Sequence, residues 1–355
     1  MTVANISTAT RWFCAAVLFA ASLVAGASAS AAQSATVAEF YRDKPVYMVI
    51  GAAPGAGYDA YARLVARHLG KHIPGNPNVI PQTLDGAGGY RAAMRVARVA
   101  APDGTSIAAI HPTSLLDPIM GDPRKSVERL DLAYLGSAGK DLAACFARAD
   151  APVKSFSELF ERELVVGAGN EASTTREYSA ILKNVLGAKL KISAGYSGNA
   201  QIYLAIDRGE VQGMCGTGYV GVAAMRPNWI KDGFIRVLAQ ESIHGQPDLN
   251  TMGVPLTLEF AKTQEQRQIL EAYYSPQEFG RPFVVSAKVP RDRLQALQTA
   301  FMDTLRDPEL LREAKAAKLE IDPLSASEVG ALVDKAYATP PQVLAKLRQA
   351  LGYGR

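Results

Sequence analysis

The sequence predicts an α/β protein with two lobes, and three observations support this prediction. Short apolar strands alternate with amphipathic helices from residue 44 to about residue 109. The same alternation begins again near residue 164 and continues to about residue 215. Roughly 320 residues follow an N-terminal segment that looks like a signal peptide, and this length is enough for two domains of ordinary size or one large one.

The first unit starts with the apolar strand 46–50, which continues into a helix with an apolar face. A second strand is predicted at 78–82, a helix at about 90–100, and a third strand at 106–110 after the turn 102–104. This order of strand, helix and strand is typical of a parallel sheet. The apolar face of the first helix has i, i+3, i+4 spacing and consists of Tyr61, Leu64, Val65, His68 and Leu69.

The second unit has the same order of elements. Its predicted elements are a strand at 164–167, a polar loop at 168–175, a helix at 176–186, a strand near 191–194, a helix at 199–207 and a strand at 211–215.

Two further apolar segments lie where the units meet, Ala143–Arg148 and Phe234–Ala239, and we interpret both as crossovers between the lobes. The predicted first lobe is therefore 40–145 plus 240–355, and the predicted second lobe is 146–239. The tail from Arg291 onward has helical spacing, and we expect its helices to pack on the first lobe.

Residues 1–32 have the pattern of a secretory signal peptide that is removed on export. Arg11 is the only charged residue, the apolar stretch runs from Trp12 to Ala25, and small residues that fit an A-x-A cleavage site follow at 27–31. This stretch is shorter than the roughly 20 apolar residues of a membrane span, and no later segment is long and uncharged enough. We therefore expect a soluble, exported protein with a periplasmic location.

Charge and metal-ligand spacing exclude several classes of function. Basic and acidic residues are nearly balanced, at 38 and 34, so nucleic-acid or membrane-surface binding through bulk charge is not expected. The four histidines are scattered and no cysteine pair has metal-ligand spacing, which argues against a metal site. After the signal segment only Cys145 and Cys215 remain, and they form either one disulfide or two buried free thiols.

The segment GAGYDA, residues 55–60, follows the first strand and opens a helix, so it fits the fingerprint of a dinucleotide site. Such a site needs an acidic residue about 20 positions further on to hold the ribose hydroxyls. Position 77 is a proline, and the first carboxylate after Asp59 is Asp85. The count argues against a nicotinamide enzyme, a P-loop lysine is also missing, and we expect no cofactor.

Glycine loops that precede helices can bind anions through backbone N–H groups at the positive end of the helix dipole. The sequence has three such loops, Gly55–Asp59, Gly86–Tyr90 and Gly169–Thr175. Alternatively, each loop is only a tight turn whose hydroxyls cap the following helix. If loops from both lobes face one cleft, together they can bind a small carboxylate without a charged side chain.

No catalytic motif is evident, because a Gly-x-Ser-x-Gly elbow is absent and the carboxylates lie alone on loops. We therefore expect a protein that is not an enzyme. The alternative is an exported enzyme that uses the same cleft, with Asp59, His111 and Glu171 as its candidate groups. Asp59 itself is most simply a first-turn carboxylate favoured by the helix dipole; alternatively it orients the loop or accepts an amino or hydroxyl group of a ligand.

Several segments between Lys44 and the C-terminus carry a family resemblance. They are KPVYMVIGAAPGAGYDAYARLVARHLGKHIPGNP, DGAGGYRAAMRVARVAAPDGTSIAAI, GAGNEASTTREYSAILKNVLG, SAGYSGNAQIYLAIDRGEVQG and FGRPFVVSAKVPRDRLQALQTAFMDTLRDPELLREAKA. In order and spacing they resemble the Bug-type extracytoplasmic solute receptors of tripartite tricarboxylate transporters.

This resemblance implies a type II periplasmic-binding-protein fold with two lobes, two hinge crossovers and a ligand cleft between the lobes. It also implies that the protein binds a small organic carboxylate and delivers it to integral-membrane transporter subunits, and a monomer is expected. A sensing role, in which the receptor signals to a membrane partner, is the alternative.

The resemblance also implies a set of ligand-binding residues in four loops. They are Gly55, Ala56, Gly57, Tyr58 and Asp59 in the first loop; His111, Thr113 and Ser114 after the third strand; Asn170, Glu171, Ala172, Ser173 and Thr174 in the second lobe; and Tyr196 and Ser197 in a later turn.

The chain departs from the commoner family pattern at two of these loops. Ala56 and Tyr58 stand in a first loop that is usually richer in glycine and has Thr before the Asp. Glu171 and Arg176 stand in a second-lobe loop that usually has more Gly and Ser and a His at the helix start. Because Tyr58 could narrow the pocket or stack on a ring, we expect the ligand preference to depend on the first loop.

Overall fold

The computed structural model describes residues 36–55, 57–123, 127–171 and 173–353. The predicted signal peptide and the predicted site residues Ala56 and Ala172 lie outside the described residues. The described strands are β1 (Val46–Ile50), β2 (Val79–Thr83), β3 (Ser106–Ala109), β4 (Leu132–Ser137), β5 (Ala143–Arg148), β6 (Leu164–Gly169), β7 (Leu190–Tyr196), β8 (Gly213–Gly218), β9 (Ile235–Glu241), β10 (Pro282–Ser286) and β11 (Leu324–Ser325).

Helices cover the faces of both sheets. They are α1 (residues 36–41), α2 (Gly57–Leu69), α3 (Tyr90–Met94), α4 (Thr113–Met120), α5 (Thr174–Ile181), α6 (Asn199–Asp207), α7 (Tyr219–Met225), α8 (Pro227–Lys231), α9 (Pro247–Thr251), α10 (Gln264–Tyr274), α11 (Arg291–Arg306), α12 (Pro308–Ala316), α13 (Ala326–Tyr337) and α14 (Pro341–Leu351). A π-helical turn extends α3 through Arg95–Val99, and another extends α5 through Leu182–Leu186.

The first sheet has the strand order β11-β4-β10-β3-β1-β2. Strand β1 runs parallel to both β2 and β3, with Val46 opposite Val79 and Tyr47 opposite Ser106. Strand β10 runs antiparallel to β3 and to β4. Because β1, β2 and β3 are parallel, the loops that follow them all leave the sheet at the same edge.

The second sheet has the order β7-β6-β8-β5-β9. Strand β6 runs parallel to β7 and β8, whereas β5 runs antiparallel to β8 and β9. The loops after β6, β7 and β8 therefore share one edge of this sheet, as those after β1, β2 and β3 do in the first. Each lobe thus combines a parallel part, which was predicted, with antiparallel strands that the local pattern did not predict.

The crossovers between the sheets do not lie where the sequence placed them. Ala143–Arg148 is β5 and Phe234–Ala239 lies largely in β9, and these two strands pair with each other inside the second sheet. The chain passes between sheets at 138–142 and again between residues 241 and 282. The boundaries drawn at 145 and 239 fell inside strands because an apolar crossover and an apolar central strand have the same local pattern.

Helix α2 shows why the local sequence forms these elements. It has Asp59 in its first turn and Arg67 and His68 in its last, which suits the helix dipole. Its apolar face buries Leu64 and Leu69 against the first sheet and the C-terminal helices. Helices α10 and α13 begin with capping boxes, at Thr263–Gln266 and at Ser325–Glu328.

The C-terminal helices pack on both lobes. Helices α11 and α12 contact α2 on the first lobe, as predicted, and α13 lies on β4. The last helix, α14, instead contacts α10, α5 and α4, and the side chain of Asn184 donates to the carbonyl of Ala350. One buried apolar cluster contains residues of both sheets together with α10, α13 and α14, so α14 packs on the second lobe as well as on the first, which was not predicted.

Cys145 and Cys215 form a disulfide that links β5 to β8 within the second sheet, and both residues are buried. Of the two alternatives left open by the sequence, a disulfide or two buried free thiols, the structure has the disulfide. In the parts of the chain that the structure describes, no helix has the length and apolar character needed to cross a membrane.

Candidate ligand-binding site

In the first lobe, the loops after β1, β2 and β3 meet at their backbones. A Cβ atom on Gly51 would lie 2.6 Å from the Cα of Gly89, and a Cβ atom on Gly89 would lie 3.0 Å from the backbone nitrogen of His111. Gly89 also has a φ of +90°, which few other residues adopt without strain. The glycines therefore let three loops approach one another at the edge of the sheet.

Asp59 holds the first loop in place. Its carboxylate accepts hydrogen bonds from the backbone N–H of Gly55 at 2.9 Å and from Nε of Arg63 at 2.8 Å, and only 4% of the residue is exposed. Burial alone would raise the pKa of Asp59, but these two donors outweigh it and lower the pKa below its ordinary value. The contacts match the interpretation of Asp59 as a residue that orients the loop, and they leave it buried away from a ligand.

Tyr58 extends from the first turn of α2 into the region between the lobes. Its hydroxyl donates to Oδ2 of Asp141 at 2.6 Å. Its ring lies 4.7 Å from the ring of His111, and the guanidinium of Arg281 lies 4.1 Å from the ring centre. Burial and the neighbouring Asp141 carboxylate hold the pKa of Tyr58 well above its ordinary value, so the hydroxyl stays protonated and donates.

Asp141 and Arg281 form a bidentate ion pair. Nη1 and Nη2 of Arg281 donate to the two oxygens of Asp141 at 2.9 and 2.8 Å. Burial alone would raise the pKa of Asp141, but the charge of Arg281 and the hydrogen bond from Tyr58 outweigh it, so the pKa of Asp141 is lowered. We call Tyr58, His111, Asp141 and Arg281 the cleft group.

The ion pair also joins the two segments that connect the sheets. The backbone N–H of Asp141 donates to the carbonyl of Gln277 at 3.1 Å, and that of Arg281 donates to the carbonyl of Gly139 at 3.1 Å. The two segments are so close that a Cβ atom on Gly280 would lie 2.3 Å from the nitrogen of Asp141. Asp141 and Arg281 therefore lie where the chain passes between lobes.

The loop after β3 places His111 against Tyr58. Thr113 donates its backbone N–H to Nδ1 of His111 at 3.3 Å, and the Thr113 hydroxyl lies 2.7 Å from the same nitrogen. Burial lowers the pKa of His111 to about 4, with Asp141 raising it and Arg281 lowering it, so the ring is neutral near pH 7. Ser114 is 3% exposed and donates to the carbonyl of His111, which places it inside the fold and not at the cleft surface.

In the second lobe, the loop after β6 leads into α5. The backbone N–H of Gly169 donates to Oγ1 of Thr175 at 3.0 Å, and the carbonyl of Ser173 accepts from the N–H groups of Arg176 and Glu177. Asn170, Glu171 and Thr174 are exposed at the start of this helix, and Ser173 is half-buried.

The loops after β7 and β8 adjoin the same helix end. A Cβ atom on Gly216 would lie 2.6 Å from the carbonyl oxygen of Thr174, so β8 passes directly under the first turn of α5. Asn199 donates to the hydroxyl of Thr217 at 3.1 Å, which joins α6 to β8. Tyr196 is half-buried and Ser197 is exposed, with the N–H of Ser197 donating to the side chain of Gln201.

Glu241 lies buried beneath this second loop cluster. Oε2 of Glu241 accepts from the N–H of Gly216 at 2.6 Å, whereas Oε1 is buried and has no hydrogen-bond partner among the described residues. Burial raises the pKa of Glu241 to about 8, against the lowering effect of the Gly216 N–H. Gln277 connects this group to the crossover, because its side chain donates to the carbonyl of Glu241 and to the hydroxyl of Tyr178.

The sequence analysis missed Asp141, Arg281 and Glu241. Asp141 and Arg281 are 140 positions apart, so only the pairing of β4 with β10 brings them together. Arg281 was present in the segment FGRPF that carried the family resemblance, but nothing in the local sequence assigned it a role. Glu241 follows an apolar strand and looks locally like the start of a solvated loop.

One cluster away from the cleft contains metal-ligand residue types. Ligand atoms of His68, Asp307 and Glu309 lie within 4.8 Å of one another, between α2 and α12. The ammonium of Lys71 already lies between the carboxylates, 2.6 Å from Asp307 and 2.7 Å from Glu309. The cluster therefore acts as an ion-pair network that ties α2 to α12.

Comparison with known proteins identifies the fold. No protein-family model matches the chain, and no curated protein matches it. A TctC solute binding protein from Polaromonas matches with a TM-score of 0.66 at 20% identity, covering 86% of this chain and 99% of that chain. The periplasmic binding protein BugD matches with a TM-score of 0.63 at 22% identity, covering 88% and 99%. An R. palustris protein solved with adipate matches with a TM-score of 0.61 at 19% identity, covering 88% and 98%.

These structures share the architecture over almost their whole lengths. The prediction of a two-lobed periplasmic-binding-protein fold is therefore confirmed.

Proposed function

We propose that this protein is a Bug-type extracytoplasmic solute receptor that binds a small organic carboxylate between its lobes. On this proposal it delivers the ligand to a tripartite tricarboxylate-type membrane transporter. The carrying observation is that the loops after β1 and β3 supply Tyr58 and His111 to the cleft group, and that Gln277 joins the Asp141 backbone of this group to Tyr178 of α5 and to Glu241 in the second lobe. The TctC, BugD and adipate-bound structures, which have the same fold, support the proposal.

The physical basis is a backbone anion site. The first turns of α2, α4 and α5 have N–H groups with partial positive charge, although the first N–H groups of α4 already donate to His111 and Pro112. Hydroxyls of Thr113 and Ser173 stand beside two of these helix starts. Such groups hold a carboxylate without a dedicated lysine or arginine, since charge-assisted hydrogen bonds to backbone N–H groups are strong.

The proposed mechanism is closure of the two lobes on the ligand. A carboxylate that bridges the start of α2 and the start of α5 binds the closed form better than the open form, and it therefore shifts the population toward closure. A transporter can then distinguish the liganded receptor from the empty one. The crossovers at 138–142 and before β10 are the segments about which the lobes would move.

The geometry favours binding over catalysis. Of the candidate catalytic groups, Asp59 already accepts hydrogen bonds from Gly55 and Arg63, and Glu171 is exposed on its loop. His111 is neutral near pH 7 and its ring is held by Thr113. Among the described contacts, no Ser hydroxyl and no Cys thiol lies where His111 could activate it as a nucleophile. We therefore propose a receptor that is not an enzyme and is located in the periplasm, as the periplasmic binding proteins of the same fold support.

A ligand screen tests the proposal. The mature protein is heated with and without a panel of mono-, di- and tricarboxylic acids, and hits are measured by calorimetry. We expect at least one acid to raise the melting temperature and bind with one-to-one stoichiometry. If no small anion binds, the proposed function is wrong.

A further inference from the structure

Asp141 is the more exposed member of the Asp141–Arg281 pair. The side chain of Asp141 is 30% exposed, whereas that of Arg281 is 12% exposed. A ligand that enters between the lobes therefore meets an anionic acceptor first, although the pair as a whole is neutral. A ligand carboxylate placed against Asp141 would be repelled and partly desolvated, which is unfavourable for both anions.

Arg281 is mostly covered by its neighbours: its side chain is 12% exposed, and its Nε is buried without a hydrogen-bond partner among the described residues. Both Nη atoms already donate to Asp141, and the guanidinium lies against the rings of Tyr58 at 4.1 Å and Tyr61 at 4.9 Å. A ligand carboxylate that took these two donors would separate the bidentate pair and leave the Asp141 charge without its partner. Removing one member of such a buried pair is strongly unfavourable.

Asp141 still has room for one more donor. An ionised carboxylate has about four acceptor positions, and three donors are present, namely two from Arg281 and one from Tyr58. The lowered pKa of Asp141 means that it has no proton to donate. A ligand group that faces Asp141 is therefore satisfied only if it is a hydrogen-bond donor.

The other acidic side chains of the region cannot take this role. Asp59 is buried with its own donors, and Glu241 is fully buried beneath β8 and α5. Glu171 is exposed on the loop before α5, and none of the described contacts fixes its side chain. Asp141, in contrast, is partly exposed and is held in position by Arg281 and Tyr58.

We propose that Asp141 selects the ligand: the protein binds small carboxylates that also carry a hydroxyl or ammonium donor, with the donor on Asp141 and the carboxylate at the helix N-termini. This inference rests on the proposed receptor function and specifies its substrate class. Because the Tyr58 side chain spans from the first turn of α2 to Asp141, the donor and the carboxylate lie about one tyrosine side chain apart. The carbon skeleton between them is therefore short.

Matched ligand series measured on the unmodified mature protein test this inference. The first series is propionate, lactate and alanine; the second is succinate, malate and aspartate; the third is glutarate, 2-hydroxyglutarate and glutamate. Within each series the three molecules have nearly the same size. The first has no additional donor, the second has a hydroxyl and the third has an ammonium. In the series that binds, we expect a donor-bearing member to have a Kd at least tenfold lower than the unsubstituted acid.

Asp141→Asn provides the second arm, because an amide keeps the size but presents a neutral acceptor and its own donor. We expect the preference for the donor-bearing ligand to fall by at least tenfold in this variant. The matched control is Asp150→Asn, which removes the charge of another bidentate aspartate–arginine pair, with Arg148, at the protein surface. The control is expected to keep the wild-type preference.

The outcomes separate the two proposals. If the unsubstituted acid of a series binds as tightly as its hydroxyl and amino analogues, the role of Asp141 is overturned while the receptor function stands. If carboxylates bind only outside these three series, the short skeleton is overturned. If no carboxylate binds at all, both proposals fail. If Asp141→Asn folds and keeps the wild-type preference, the role of Asp141 is overturned; if it does not fold, the wild-type series still tests the requirement for a donor on the ligand.

Discussion

At the residue scale, the candidate site is organised around Tyr58, although an anion site built from backbone N–H groups does not need a tyrosine. Tyr58 contacts His111 through its ring and Asp141 through its hydroxyl, so one side chain joins the first loop, the third loop and the crossover. The family resemblance implied Tyr58 and His111 as site residues, because both stand in loops that match ligand-binding loops of the family. The partner of Tyr58 could not be predicted, since Asp141 reaches it only through the folding of the crossover.

Tyr58→Phe tests this contact. The variant keeps the ring but removes the hydroxyl that donates to Asp141, and hydrogen bonds to charged groups contribute about 1.5–3 kcal/mol. We expect the free energy of unfolding in urea to fall by about 1–2 kcal/mol. The control is Tyr90→Phe, whose hydroxyl donates to the carbonyl of Glu128 at the surface. Equal losses of unfolding free energy in Tyr58→Phe and Tyr90→Phe would contradict the hydrogen bond from Tyr58 to Asp141.

Glu241 gives a pH-dependent prediction. Burial raises its pKa from the ordinary 4.5 to about 8, so the folded protein holds this proton more tightly than the unfolded chain. The resulting stabilisation is complete below about pH 4.5 and is lost as the pH rises through about 8.

Glu241→Gln removes this titration. The free energy of unfolding of the wild type should therefore fall between about pH 5 and about pH 8 by a few kcal/mol more than that of the variant, when both are measured in urea. Glu210→Gln, a change at an exposed position, serves as the control and should follow the wild type. Parallel profiles of unfolding free energy against pH for wild type and Glu241→Gln would refute the raised pKa of Glu241.

At the element scale, strands with helical neighbours were predictable and antiparallel strands were not. The periodicity of residues 46–110 located β1, α2, β2 and β3 to within a few residues, because each is built from local pattern and turn residues. The strands β5 and β9 were mistaken for crossovers because the partners that make them strands are remote in sequence. The positions of the candidate loops could likewise be predicted, because the local sequence marks each loop. Their approach to one another could not, because it depends on contacts between residues that are remote in sequence.

The start of α5 offers a test at this scale. Thr175 is 2% exposed, and its hydroxyl accepts the N–H of Gly169, which fixes the second-lobe loop. Thr175→Val keeps the shape but leaves a buried N–H without an acceptor, at a cost of about 1–3 kcal/mol in unfolding free energy. Thr175→Ser restores the hydroxyl and should recover most of this loss in a urea titration. A serine variant as unstable as the valine variant would show that the hydroxyl is not what matters.

The disulfide between β5 and β8 is a second element-scale feature. It closes a loop of 70 residues in sequence, and the chain-entropy account gives about 4 kcal/mol of stabilisation for a loop of this length. We expect the double variant Cys145→Ala with Cys215→Ala to unfold at a lower urea concentration. Wild type unfolded in the presence of a reductant should shift in the same direction, without any change in side-chain volume. Unchanged midpoints in both experiments would mean that the pair is not bonded in solution.

At the scale of the whole molecule, two sheets are joined by two close crossovers and covered by a helix that contacts both lobes. The ion pair of Asp141 and Arg281 ties the crossovers together, and α14 packs on α5 of one lobe and α4 of the other. We propose that loops from the two sheets bind an anion in a common region, with Asp141 as a fixed acceptor beside it. This arrangement predicts a receptor whose affinity comes from helix N-termini and whose selectivity comes from the crossover.

The most direct test of this account compares an acid with its own amide. The tightest-binding acid of the screen and the same molecule with its carboxylate converted to a primary amide are titrated into the protein in a calorimeter at neutral pH. The account predicts that the acid binds one-to-one and that the amide binds at least a hundredfold more weakly, because the helix N-termini stabilise an anion. Equal affinity for the acid and the amide would contradict it.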